Sequence, residues 1–343
     1  MPDVFRRMIR IRRKHNDIRY VLGGVTVLKR AAKRIGNGAR FTYRLFSKIP
    51  VWRREDHTVS VSGPFDVPRS FRPQEVDTAP LLAALRELEP FTFVPNPGNA
   101  GDALIAAAAL QFFDRHGLRY RLFSGDYSGN VVLNGGGGFV ALYPKFVRKV
   151  LRETRASARV LVLPSTFRDV DGFLDALDGR FTLFARDRES HARLLRSGTR
   201  ARVLLGHDMA LCLSDDLFSR TVEVSALEKE LEDRLDVALS GTHGVLTVVR
   251  TDGESSGRWT GGIDLSKCYY LDERSSPDWI FFGAQLLLRA IDRFETVVTD
   301  RLHVGIGAIL LGKRLILRDD RYHKIRDVYD AEFGPLGNVR FVG

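Results

Sequence analysis

From Phe91 onward the chain alternates short apolar runs with stretches of helical spacing. Few architectures accept that rhythm. Strands are expected at 91–94, 120–123, 131–133, 160–163, 182–184 and 203–205, and again at 245–249, 296–298 and 314–317. Helices are expected at 103–113, 146–151, 173–177, 190–195, 279–291 and 304–311. Repeated strand–helix units bury their apolar surface when the strands run parallel and helices cover both faces of the sheet. Residues 221–240 read as a charged helical connector between the two series. The expectation is an α/β protein with two Rossmann-like, doubly wound domains, residues 91–220 and 221–343. Ligands of such folds sit at the carboxyl ends of the strands, here in the cleft between the domains.

The charge of the chain divides unevenly. Residues 1–54 hold 16 Lys and Arg against Asp3 and Asp17, a net +14 in a chain whose total is +11, so the remainder is slightly acidic. A nucleic-acid binder would carry its basic stripe on the globular body, and this body has none. Val21, Val25, Leu28, Ala32 and Ile35 recur at helical spacing, as do Val4, Met8 and Ile11, then Phe41, Leu45 and Ile49. Residues 1–54 are therefore expected to form a basic amphipathic helical arm. It would lie in an anionic membrane surface, or pack on the body or a second subunit. Residues 55–90 read as a linker, broken by Pro64, Pro68, Pro73 and Pro80, that ends in a lead-in helix over 81–88. Cys212 and Cys268 are far apart and lack metal-ligand spacing, which argues against zinc and fits a reducing compartment. No apolar run is long enough to span a bilayer. The expected location is cytoplasmic, peripheral to the inner face of the plasma membrane.

Polar residues collect just after each expected strand. The sequence Thr299-Asp300-Arg301-Leu302-His303 follows one strand and opens a Gly/Ala-rich helix. Free N–H groups at such a turn favour an anion, and Arg301 adds a planar guanidinium that binds phosphate or carboxylate by two parallel hydrogen bonds. His303 adds a group that exchanges protons near neutral pH. Clamp and proton donor together point to chemistry on a small phosphorylated acid. The plainer alternative is that Asp300 caps the helix and His303 packs beneath it. After the first strand comes Pro95-Asn96-Pro97-Gly98-Asn99-Ala100-Gly101-Asp102, in which Asp102 is either an N-cap or a base. Asn134-Gly135-Gly136-Gly137-Gly138 follows another strand and lets a ligand approach the backbone. It is neither a dinucleotide fingerprint nor a P-loop. Arg186-Asp187-Arg188-Glu189-Ser190, His207-Asp208 and Arg250-Thr251-Asp252 follow three more strands, and Asp187 or Ser190 is also a candidate helix cap.

In this order the clusters resemble the polysaccharide pyruvyl transferase family. The likeness rests on Asn96 to Asp102, the glycine run 134–138, Arg186 to Ser190, His207-Asp208 before Ala210, and Asp300-Arg301-Leu302-His303. It covers roughly residues 91–330 and leaves out the basic arm. The resemblance implies a GT-B-like arrangement and transfer of pyruvate from phosphoenolpyruvate onto two hydroxyls of a sugar, making a cyclic ketal in a surface or exopolysaccharide precursor. It implies His303 as general acid, with Asp102 or Asp300 as base. Arg301, with Arg186 or Arg188, would clamp the donor's two anions, joined by Asn99, Gly135, Gly136 and Gly137. Lys324 is either a further charge near the phosphate or a solvated lysine. Neither a metal nor a cofactor is called for; phosphoenolpyruvate is a substrate. The acceptor is lipid-linked or free, and the basic arm would hold the enzyme beside a lipid carrier. Two other readings stand beside this one: a GT-B nucleotide-sugar glycosyltransferase, and a non-catalytic membrane-associated scaffold of polysaccharide assembly.

Overall fold

The structure is a computed structural model. It describes residues 76–343 apart from 215, 216, 218–221, 260 and 335, with backbone alone at 222–229 and 267; ahead of residue 76 it describes the backbone of six strands.

Those strands are β1 (Ile9–Lys14), β2 (Asp17–Leu22), β3 (Val25–Ile35), β4 (Gly38–Leu45), β5 (Ile49–Asp56) and β6 (Val59–Ser62). The first five pair antiparallel in chain order. This overturns the helical arm expected over 1–54. The reason lies in Ala39-Arg40-Phe41-Thr42-Tyr43-Arg44-Leu45, where apolar and polar residues alternate with the strand period of two. Leu22 pairs with Val25 and Ile35 with Gly38. Gly23-Gly24 and Gly36-Asn37 separate those strands, and such pairs are strong hairpin signals.

The body begins with α1 (Ala79–Leu88), β7 (Phe91–Val94) and α2 (Ala100–Arg115). It continues through β8 (Tyr120–Leu122), β9 (Gly129–Leu133), β10 (Gly136–Val140), α3 (Pro144–Glu153), β11 (Ser157–Arg168), β12 (Phe181–Ala185), α4 (Arg188–Arg196) and β13 (Arg202–Leu205). These strands form a parallel sheet in the order β13-β12-β11-β9-β7-β8, with β10 paired to the far end of β11. The chain leaves β7 on one side to make β8 and returns on the other side to make β9. A crevice opens where strand order reverses in this way, at the carboxyl ends of β7 and β9.

Next come β14 (Val222–Ser225), which pairs antiparallel with β6, and α5 (Ala226–Leu239). So 221–240 is a strand and a helix, not a helix throughout. A second parallel sheet follows, in the order β15 (Val245–Val248), β16 (Thr296–Thr299), β17 (Arg314–Arg318) and β18 (Val339–Val342). Its helices are α6 (Pro277–Asp292), α7 (Leu302–Leu310) and α8 (Lys324–Val328).

One apolar core joins the two sheets. Helix α2 buries 13 of its 16 residues, where a surface helix buries a single stripe. Its alanines let it pack closely against α6, and residues of both helices and both sheets belong to the same buried cluster. Close packing at this seam brings the start of α7 against the start of α2.

Candidate active site

A cavity of about 280 Å³ lies at the carboxyl ends of both sheets. The first sheet lines it with the β7–α2 turn, Gly137 and Gly138 of β10, Tyr143, Phe146 and Arg186; the second lines it with Arg250, Asp252, Glu254, Arg301, His303 and Lys324.

The turn after β7 is held by its own side chains. Asn99 caps α2 by accepting from the Gly101 N–H at 2.8 Å, and Asp102 Oδ2 accepts from the Asn99 N–H at 2.8 Å. This reciprocal pair satisfies two donors that a helix start leaves free. Asp102 thus belongs to the cap and also lines the cavity, and burial pushes its pKa up. Asn96 donates to the carbonyls of Asn134 and Gly135, at 2.7 and 3.2 Å, and ties the turn to the end of β9.

Arg186 and Asp208 form a buried pair, each side chain 1% exposed, with Nη1 donating to Oδ2 at 2.6 Å. Arg186 Nε also donates to Thr166 Oγ1 at 2.9 Å. His303 Nε2 lies 3.4 Å from both Asp208 Oδ2 and Arg186 Nη1. Burial alone would raise the Asp208 carboxyl, but the charges of His303 and Arg186 hold it well below the usual carboxylate range. The imidazole therefore rests against a fixed negative charge, which orients the ring. A Cβ placed on Gly101 would stand 2.9 Å from His303 Cβ and Nδ1. Only glycine lets α2 and α7 meet here.

The cations of the second sheet are held by carboxylates of the irregular segment 249–264. Arg301 donates to Asp264 Oδ1 at 2.6 Å, to Asp264 Oδ2 at 2.8 Å and to Asp252 Oδ2 at 2.9 Å. Arg250 pairs with Asp252 at 3.0 Å and with Glu254 at 2.6 Å. Lys324, 4% exposed, pairs with Glu254, whose other oxygen accepts from the Tyr143 hydroxyl at 2.8 Å. Burial pushes the Lys324 amine down. For Asp252 and Glu254 burial is outweighed by the neighbouring cations, which hold both carboxyls below their ordinary values.

Most candidate site residues of the sequence line the cavity; Arg188, Asp300, Gly135 and Gly136 do not. Arg188 is exposed on α4 and does not line the cavity, so Arg186 alone comes from that segment. Asp300 does not line the cavity either. Just past the end of β16, Arg301 enters the cavity while Asp300 sits behind it, accepting from the Arg250 N–H at 2.7 Å. The glycine run is not a turn throughout, because Gly136 already pairs with Ser165 as the start of β10. Gly137 and Gly138 line the cavity, while Gly135 is required by the Pro164 carbonyl, 2.4 Å from where its Cβ would be. Gly136 has φ +126°, which suits glycine alone. Asp187 is the cap of α4, accepting from the Ser190 N–H at 2.7 Å.

The sequence reading did not name Asp208, Arg250, Asp252, Glu254, Asp264 or Tyr143 as site residues. Asp208, Arg250 and Asp252 carry the signal that points to the others, their place after a strand. Glu254, Asp264 and Tyr143 lie in segments without period or motif.

A functionally uncharacterized protein from Klebsiella pneumoniae subsp. pneumoniae NTUH-K2044, known from its crystal structure, is similar in fold. It is 24% identical, with a TM-score of 0.61 over 77% of this chain and 96% of that one. No curated protein matches the sequence. Residues 99–319, from the cap of α2 to the end of β17, match the sequence profile described as polysaccharide pyruvyl transferase. That span holds Asp102, Arg186, Asp208, Arg301 and His303, and the chain belongs to the polysaccharide pyruvyl transferase family.

Proposed function

We propose that this chain moves the pyruvyl group of phosphoenolpyruvate onto two hydroxyls of a sugar, forming a cyclic ketal and releasing phosphate. One observation carries the reading: Arg186 from one sheet and Arg250, Arg301 and Lys324 from the other converge on a single cavity that also holds His303. The donor hangs a phosphate and a carboxylate from one carbon, so it needs cations on two sides. Arg186 and Lys324 flank Gly137, at 3.7 and 3.1 Å from where its Cβ would be, and suit the phosphate. Arg301 suits the carboxylate.

His303 gives its proton to the methylene carbon, which becomes a methyl group. The neighbouring carbon gains oxocarbenium character, and a sugar hydroxyl attacks it while Asp102 takes the hydroxyl proton. The bond from that carbon to the phosphate oxygen breaks, and a second hydroxyl closes the ring. Its proton restores His303, and the proton on Asp102 leaves with hydrogen phosphate. Asp208, itself held by Arg186, orients the imidazole throughout.

The two sheets facing one cavity support a GT-B-like arrangement. The basic segment 1–54 supports contact with anionic lipid, where a lipid-linked precursor of a surface polysaccharide would lie. Among the described residues no helix is long and apolar enough to cross a membrane. Deleting residues 1–54 is expected to abolish co-flotation with anionic vesicles, and undiminished flotation would remove the membrane contact from this proposal.

Thermal unfolding with and without phosphoenolpyruvate tests the donor. A ligand at about 100 times its Kd stabilises the folded form by roughly 2.7 kcal/mol. The wild type is expected to show that shift, Arg301→Ala to lose it, and His303→Ala to keep it without turnover. A shift with UDP-sugars and none with phosphoenolpyruvate would replace this reading by glycosyl transfer.

A further inference from the structure

The charged half of the cavity accounts for the donor, and the other half calls for a different partner. Tyr143 and Phe146 both line it, one residue before α3 and two residues into it. Neither ring is free to swing. The Tyr143 hydroxyl is tied to Glu254 at 2.8 Å. Phe146 stands edge-on to Phe139, centroids 5.2 Å apart at 68°. A Cβ on Gly138 would come within 2.8 Å of the Phe146 ring, so the glycine run leaves the space that the ring fills. Phosphoenolpyruvate carries charge over most of its small surface and has nothing to set against such a wall.

We infer that Tyr143 and Phe146 form the acceptor subsite, a wall on which a pyranose lays its C–H face while its hydroxyls turn toward Asp252 and Asp102. This rests on the proposed pyruvyl transfer for the identity of the acceptor. The chemistry of the wall is its own argument. Aromatic rings bind faces whose C–H groups meet the negative π-cloud, and carboxylates at the rim accept hydrogen bonds from the hydroxyls. Asp252 suits that task, with its side chain 29% exposed where Glu254 is 3%. Gly138 acquires a role here that differs from that of Gly137. One glycine brings backbone to the cations, and the next makes room for the aromatic ring.

Saturation-transfer NMR tests this with the methyl glycosides of galactose, glucose and mannose, each read with and without phosphoenolpyruvate. Transfer from aromatic protons to the ring C–H protons of at least one glycoside is expected in the wild type. Phe146→Leu and Tyr143→Ala are expected to weaken that binding about tenfold, and Tyr143→Phe to rescue it relative to Tyr143→Ala. Donor binding, followed by the thermal shift, should stay within about twofold in Phe146→Leu. Glycoside transfer unchanged in Phe146→Leu and Tyr143→Ala would overturn the assignment, as would no transfer to any glycoside in the wild type. Loss of the donor shift in the wild type, with glycoside transfer intact, would count against pyruvyl transfer and leave the wall standing.

Discussion

Replacing Arg186 with methionine is expected to destabilise the protein by about 3–5 kcal/mol, a large part of a typical folding free energy. The size of the effect comes from what the substitution leaves behind. Asp208 is 1% exposed and held ionised by Arg186 and His303. Without the guanidinium it keeps the Ala210 N–H at 2.9 Å and the imidazole, but its charge stays buried with too little compensation. Removing both charges avoids that penalty, so Arg186→Met/Asp208→Leu should recover more than half of the loss in urea denaturation at neutral pH. Both variants should be inactive, which separates the folding role of the pair from its role in the cavity. A single-variant loss below about 1 kcal/mol would show that water reaches Asp208 and that the pair is no buried anchor.

Binding of phosphoenolpyruvate is expected to draw protons from solution and to weaken as pH rises. Among the described residues, four basic side chains serve the cavity: Arg186, Arg250, Arg301 and Lys324. Six carboxylates line it or bond to those cations, namely Asp102, Asp208, Asp252, Glu254, Asp264 and Asp320. The empty site is already short of positive charge, and the donor adds about three negative charges near neutral pH. Close like charges in a partly buried site raise each other's pKa. Lys324 is lowered by burial, and the donor's charge moves it back upward. A group whose pKa is higher in the complex than in the free protein favours binding most below its free value, and that favour is lost as pH rises through the bound value. Each proton taken up weakens binding by up to about tenfold per pH unit between the two values. Calorimetry in two buffers of different ionisation enthalpy should give a net uptake of protons on binding. Zero uptake with affinity flat in pH would mean that the carboxylates swing out of the site instead. Strict dependence on a divalent cation would mean that a metal makes up the charge.

Much of the body was legible because its elements are local. The strand at 91–94 and the helix after it announce themselves through an apolar run, a Gly/Asn turn and a line of alanines. Arg301 and His303 were found because a strand-to-helix turn displays its residues at one edge. What escaped notice is of two physical kinds. The arm was misread because Val21, Val25 and Leu28 satisfy a helical period by chance, while Phe41, Tyr43 and Leu45 keep the strand period. The carboxylates escaped because ion pairs are long-range. Arg301 finds Asp264 across 37 positions and Lys324 finds Glu254 across 70. No local pattern encodes such a meeting. Asp300 is expected in the site by sequence adjacency, but its carboxylate turns to the Arg250 backbone N–H instead.

The seam between α2 and α6 also bears on how the protein is made. Chains emerge from the ribosome amino end first, at about 5–20 residues per second. Helix α2 is complete when Arg115 has been added, yet the side it turns to α6 stays uncovered until Asp292 follows, roughly ten seconds or more later. During that interval the first sheet can assemble, but an alanine-, leucine- and phenylalanine-rich surface is left open to solvent. The first half of this protein therefore carries open apolar surface until the second half covers it, and the cavity can form only once the whole body has been synthesised.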